Sequence, residues 1–157
     1  MTPAIELAKA RGLTYHIHEY HHDPSAPSFG SEAADKLGVD GAQVFKTLVV
    51  MQDTGKLAVA IVPVSSTLNL KSMAKALGCK KVTMAEPKAV ERSSGYVLGG
   101  VSPLGQKKRL ATIIDQSATD HATIYVSAGR RGLEIELAPT DLAAELSARF
   151  FAIAEQK

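Results

Sequence analysis

The run from Gly95 to Arg109, GYVLGGVSPLGQKKR, constrains this chain more than any other stretch. Four glycines and a proline stand between two segments patterned as regular structure, so the run reads as a shaped turn. Glycine reaches positive φ and lets another molecule approach the backbone closely. A glycine-rich turn can also aim bare N–H groups at one point, which suits an oxygen carrying negative charge. Lys107, Lys108 and Arg109 come directly after. The run therefore predicts a place that holds a polar, anionic substrate.

The flanking pattern predicts alternating elements. Thr2-Pro3 starts a helix with a capping hydroxyl and proline at the first helical position, and Gly12 ends it. Residues 15–20 alternate as a strand, residues 23–30 form a loop, and Ser31 caps a short helix through Leu37 that Gly38 stops. Two apolar, β-branched runs, 44–51 and 57–62, joined at Asp53-Thr54-Gly55, predict a hairpin. Asn69 caps a helix over 70–77, residues 81–84 form a short strand, and Pro87 opens a helix ending at Gly95. Strands lie over 109–114, 123–127 and 133–137, and Pro139 opens a last helix to about residue 150. Strands lead and helices are interspersed irregularly, so the pattern predicts an α+β fold with a mixed sheet.

At 157 residues the chain is expected to form one domain over 1–157, with a core that needs no staples. Its formal charge of +2 excludes strong general attraction to nucleic acid. Any such contact must come from local patches such as Lys80-Lys81, Lys107-Lys108-Arg109 and Arg130-Arg131. The single cysteine, Cys79, leaves no intrachain disulfide and no cysteine-based zinc site. The N-terminus has neither the basic start nor the apolar stretch of a signal peptide. No segment approaches the ~20 apolar residues of a membrane span. A reduced, cytoplasmic setting without a membrane is the expectation.

Several familiar motifs almost match and fail. Gly100 and Gly105 have P-loop spacing, but Gln106 stands where the lysine belongs and Pro103 removes an N–H. Gly100-Val101-Ser102-Pro103-Leu104 lacks the final glycine of a nucleophile elbow, and no His–Asp partnership for Ser102 is legible. His16 and His18 share a strand face, with His21 and His22 next. They read as a divalent-metal site or as a polar strand face, and no carboxylate or cysteine in a recognised spacing completes a ligand set, so no metal is expected. Lys46, inside the apolar run Phe45-Lys46-Thr47-Leu48, either alternates out to solvent or is a cation held on a rigid strand at a pocket mouth.

Phe45-Lys46-Thr47-Leu48, the glycine run and Ile124-Tyr125-Val126-Ser127 with Arg131-Gly132-Leu133 together resemble the YbaK family. Met1-Thr2-Pro3-Ala4 and Phe29-Gly30-Ser31-Glu32 match as well. That family comprises free-standing aminoacyl-tRNA deacylases related to the editing domain of bacterial prolyl-tRNA synthetases, and the likeness is nearest to its Cys-tRNA(Pro) deacylase branch. The resemblance implies an α+β fold with a mixed, strongly curved, partly barrel-like sheet and helices around it. It implies removal of cysteine from mischarged Cys-tRNA(Pro), and from Cys-tRNA(Cys), in a metal-free pocket without a cofactor. The partners it implies are the 3′ acceptor end of tRNA(Pro) and prolyl-tRNA synthetase. Cysteine and proline are similar in size, so binding alone separates them poorly and a second sieve is needed.

The resemblance also assigns positions. Lys46 holds the 3′-terminal adenosine, while Gly99 and Gly100 supply amides to the developing oxyanion. The cysteinyl thiol, with an ordinary pKa near 8.5, attacks its own carbonyl and leaves as a thiolactone. Tyr20 and Phe29 wall the pocket or stack on the base; ordinary packing is their other reading. Thr47, Ser102 and Ser127 are substrate-binding hydroxyls, and Glu134 contacts the α-amino group; a water-facing strand is the alternative for Thr47, Ser127 and Glu134. Ala128-Gly129 replaces a common Gly-Gly, which restricts that turn if it touches substrate. Competing functions are a deacylase for another small amino acid such as alanine on tRNA(Pro), and a non-catalytic tRNA-end binding module.

Overall fold

The apolar runs joined by Asp53-Thr54-Gly55 pair as an antiparallel hairpin, β2 (Phe45–Gln52) with β3 (Leu57–Pro63), in register from Phe45↔Pro63 to Met51↔Leu57. A computed structural model describes residues 1–26 and 29–157. Three strands lie close to that hairpin along the chain: β1 (Tyr15–Glu19), β4 (Ser66–Leu68) and β5 (Val82–Met84). Further on lie β6 (Ala111–Asp115), β7 (Ile124–Arg130), β8 (Leu133–Leu137), β9 (Arg149–Phe151) and β10 (Ala154–Gln156). The helices are α1 (Pro3–Ala10), α2 (Phe29–Leu37), α3 (Leu70–Leu77), α4 (Pro87–Ser94) and α5 (Pro139–Leu146).

Among the described residues the strands form three sheets. The largest has the order β5-β2-β3-β6-β9, with β6 and β9 running parallel to their neighbours and the rest antiparallel. It is open at β5 and β9, so the mixed α+β class stands while the strands do not close into a barrel. An antiparallel sheet β1-β8-β7 and a two-stranded sheet β10-β4 complete the set. Tyr125 N–H donates to Gln43 O (3.0 Å) and Val44 bridges to Tyr125. That junction brings the start of β2 against β7, and it is what builds the site.

β3 is apolar along almost its whole length because both its faces are covered. Val59 and Ile61 join one core with α1, α5, β7 and β8 residues, while Ala58, Ala60 and Val62 join a second with α3 residues. Thr2 caps α1, its Oγ1 accepting from Ile5 N, and the same hydroxyl donates to Ala128 O on β7. Asn69 caps α3 through Ser72 N, and Gly78 closes it in the left-handed region.

Three expectations need correction. α2 begins at Phe29 rather than Ser31. The last helix stops at Leu146, where Ser147 turns left-handed (φ 52) and Ala148 N–H bonds back to Ala143 O. Residues 149–151 then join the large sheet instead of extending the helix. The strands β4, β9 and β10, three residues each, lie outside the sequence pattern, because so short a segment shows no alternation and is held by partners far away in sequence.

Candidate functional site

The first half of β2 runs along the floor of a cleft of about 450 Å³. The turn at 97–101 forms one wall and the facing pair Ser127 on β7 and Glu134 on β8 another. Tyr20, just after β1, closes the side, and its N–H is anchored on Gly132 O at 3.0 Å. Lys46, Thr47, Gly99, Tyr20, Ser127 and Glu134 all line this one space.

Lys46 does not point to bulk water. It is half-buried on the cleft wall and its Nζ donates to Ser66 O at 2.9 Å. Burial, with Lys157 nearby as the lesser cause, lowers its pKa from the ordinary lysine value. Thr47 Oγ1 is buried and has no hydrogen-bond partner among the described residues, which is costly unless something arrives to bind it. Glu134 is 7% exposed, and burial pushes its carboxyl up to about 8. It is therefore largely neutral near pH 7. Tyr20 is raised by burial first and by Glu134 second.

The glycine turn behaves differently from expectation. Gly99 adopts φ 91 and lines the cleft, and its N–H has no acceptor among the described residues. Val101, also on the wall, likewise has an unengaged N–H; a valine carries no sequence signal for such a role. The Gly100 N–H is already spent on Val97 O (3.0 Å). Gly100 instead packs: a Cβ there would meet Arg130 Cα at 2.8 Å. Its expected part as an oxyanion donor is corrected to a close-contact role.

Ser102 is corrected too. It is fully buried away from the cleft, and its Oγ accepts from Leu104 N at 3.2 Å, shaping the loop. Tyr96 lies over the same loop, donating to Leu104 O at 2.6 Å, and burial drives its pKa up to about 12. Ala128 is core, not pocket, so the Ala-Gly departure does not narrow the cleft. The side chain of Phe29 lies outside the described residues. No histidine or cysteine lines the cleft among the described residues.

The histidines go elsewhere. His18 Nε2 sits 2.8 Å from Glu136 Oε1 and its ring packs on Tyr125. His22 Nδ1 sits 2.7 Å from Glu32, which also accepts from Asp23 N. Among the described residues no three His, Cys, Asp or Glu side chains converge as metal ligands. Arg109, in the basic run, donates to Glu145 O and Ser147 Oγ and so anchors the end of α5. No helix among the described residues is long and apolar enough to cross a membrane.

The profile of the aminoacyl-tRNA editing domain matches residues 23–144, far more than half the chain and all but one of the cleft residues named above. This chain belongs to the aminoacyl-tRNA editing domain family. Its editing domain is 38% identical over 138 residues to EbsC of Enterococcus faecalis, provisionally named a Cys-tRNA(Pro)/Cys-tRNA(Cys) deacylase, with 88% of this chain and 84% of that one covered. An 86-residue stretch is 34% identical to proline–tRNA ligase of Citrifermentans bemidjiense, covering 55% of this chain and 15% of that enzyme. The fold matches the solved structure of hypothetical protein APE2540 with TM-score 0.86 and 28% identity, covering 98% of this chain and 100% of the other. A structure provisionally named as a trans-editing enzyme for prolyl-tRNA synthetase matches with TM-score 0.85 over 98% and 95% of the two chains; at 22% identity it speaks for the fold.

Proposed function

We propose that this editing domain removes cysteine from Cys-tRNA(Pro), and from Cys-tRNA(Cys), by letting the substrate thiol act as the nucleophile. The observation that carries the reading is the composition of the cleft wall. It offers one ammonium at Lys46, an unengaged amide at Gly99 and a buried hydroxyl at Thr47, with no histidine or cysteine among its described residues to activate a protein nucleophile. Likeness to EbsC supports cysteine as the amino acid.

An aminoacyl ester is already labile, so placement supplies much of the rate. The cysteinyl sulfur, as thiolate, adds to its own ester carbonyl. The negative charge that develops on the carbonyl oxygen is met by the amides of Gly99 and Val101, each donor worth on the order of 10²–10³ in rate. The C–O bond to the ribose then breaks, the ribose oxygen takes up the proton the thiol gave, and the amino acid leaves as a thiolactone that water opens afterwards. Lys46 holds the ribose or neighbouring phosphate as a compact point charge. Glu134, facing Ser127 across the ladder, receives the α-amino group and ionises as that cation arrives. Tyr20 closes the side of the pocket. Prolyl-tRNA synthetase supplies the mischarged tRNA in the cytoplasm.

Purified protein is to be assayed on tRNA(Pro) carrying cysteine, alanine or serine and on Cys-tRNA(Cys), with and without a chelator. Cysteine should leave fastest, and the chelator should have no effect. Faster release of alanine would overturn the thiol scheme. Lys46→Ala should lower kcat/KM by about 10²-fold or more with little change in Tm. Full activity in that variant would remove Lys46 from the mechanism.

A further inference from the structure

Five large apolar side chains stand out as exposed among the described residues, and three of them line or adjoin the cleft. Met84 is 49% exposed, Val97 66% and Leu98 45%. Met84 and Leu98 line the cleft itself, and exposed Val97, next to Leu98 in the chain, belongs to the turn that forms this lip. This lip has a defined shape. Gly100 N–H closes the turn on Val97 O, and Gly95 and Gly99 on either side hold positive φ. A turn held this way presents two branched aliphatics to water at a free-energy cost, and such a patch marks a contact surface.

A cation stands beside it. The chain folds back so that Lys107 N–H bonds to Ser94 O (3.1 Å) and Lys108 N–H to Ser93 O (3.0 Å). The aliphatic stem of Lys107 lies over Gly95, two residues from Val97, and its exposed ammonium has no ion-pair partner among the described residues. Unpaired nucleotides are held where a base face buries itself against side chains and the neighbouring phosphate meets a cation; here aliphatic side chains offer apolar contact in place of aromatic stacking.

We infer that the Met84–Val97–Leu98 lip, with Lys107 behind it, seats the unpaired 3′-terminal nucleotides of the tRNA. The inference rests on the deacylase reading: an acyl group in the cleft is joined through its ester to a ribose at the cleft mouth, so the adjoining base and phosphate must lie on the rim. Lys46 holds the sugar end inside, and the lip receives that base and phosphate outside.

The test is fluorescence anisotropy at low salt with a labelled RNA hairpin that ends in unpaired ACCA, against the same hairpin made blunt. Wild type should prefer the overhang. Val97→Ser should weaken overhang binding about fivefold and leave the blunt hairpin unaffected. Lys107→Glu should weaken overhang binding and lower the slope of log K against log salt by about one. Both side chains are exposed, and circular dichroism is to be recorded on each variant to check that it folds. Unchanged overhang binding in both variants would overturn the inference, as would equal losses on blunt RNA or no preference for the overhang, the result expected if the patch serves a protein. Deacylation by the wild type is a separate arm: overhang binding without deacylation sinks the enzyme reading alone, and deacylation with overhang binding indifferent to both variants sinks this one alone.

Discussion

Thr47 carries a hydroxyl that nothing among the described residues answers, set in a strand between Lys46 and the apolar run 48–51. Thr47→Val keeps the shape and removes the unpaired group. It should leave the protein as stable or stabilise it by up to about 1 kcal/mol, while raising KM severalfold; thermal melts and steady-state kinetics check the two halves. Glu134 gives a pH signature. Its ordinary value is 4.5 and burial pushes it up to about 8, so between those values the folded chain keeps a proton that the unfolded chain has released. Stability contributed at low pH is therefore lost as pH rises through that window. Glu134→Gln has no such proton, and its Tm relative to wild type should climb across the window; a constant difference on both sides would show that Glu134 titrates normally. Lys46 is visible in the sequence as a misplaced cation, but its partner Ser66 O is not, because a backbone carbonyl twenty residues away leaves no trace in composition.

The glycine turn is the element on which sequence and structure agree in place and differ in detail. Two adjacent glycines look alike as donors in a sequence. In three dimensions Gly99 takes positive φ and its amide has no acceptor among the described residues, while Gly100 spends its amide and lies against the backbone of Arg130. Arg130 sits where β7 slips register against β8, so the turn and that irregularity fit each other. A methyl at Gly100 would strike backbone atoms on a paired strand, which yield only with the sheet. Gly100→Ala should cost about 2 kcal/mol or more in urea unfolding. A neutral outcome would mean the turn has room to shift. A serine in a glycine loop suggests a ligand contact; Ser102 is instead a loop strut under Tyr96, a matter of packing alone.

At the scale of the whole molecule, one buried carboxylate gathers distant segments. Asp115 ends β6, accepts from Ser117 N and Oγ in the next turn, and accepts from Ile153 N and Ala154 N (2.9 Å each). Those last bonds start β10, which pairs with β4 and so borders Ser66, the support of Lys46. Asp115→Ala leaves the buried Ile153 N–H and three partly buried donors without their acceptor and should destabilise by about 3 kcal/mol, read from urea unfolding; a frayed β10 should also lower deacylation in the fraction still folded. Local chemistry alone determined most of the elements: caps at Thr2 and Asn69, prolines at helix starts, glycines at helix ends and the two-sided apolar run of β3 act over a few residues and are written in order. The resemblance carried by Phe45-Lys46-Thr47 and the glycine run already pointed to the family. Only the tertiary structure decided which side chains share the cleft, which amides remain free and which short strands exist. Each of those depends on residues brought together across the chain, such as β2 meeting β7, and the energy of such meetings belongs to the pair rather than to either segment.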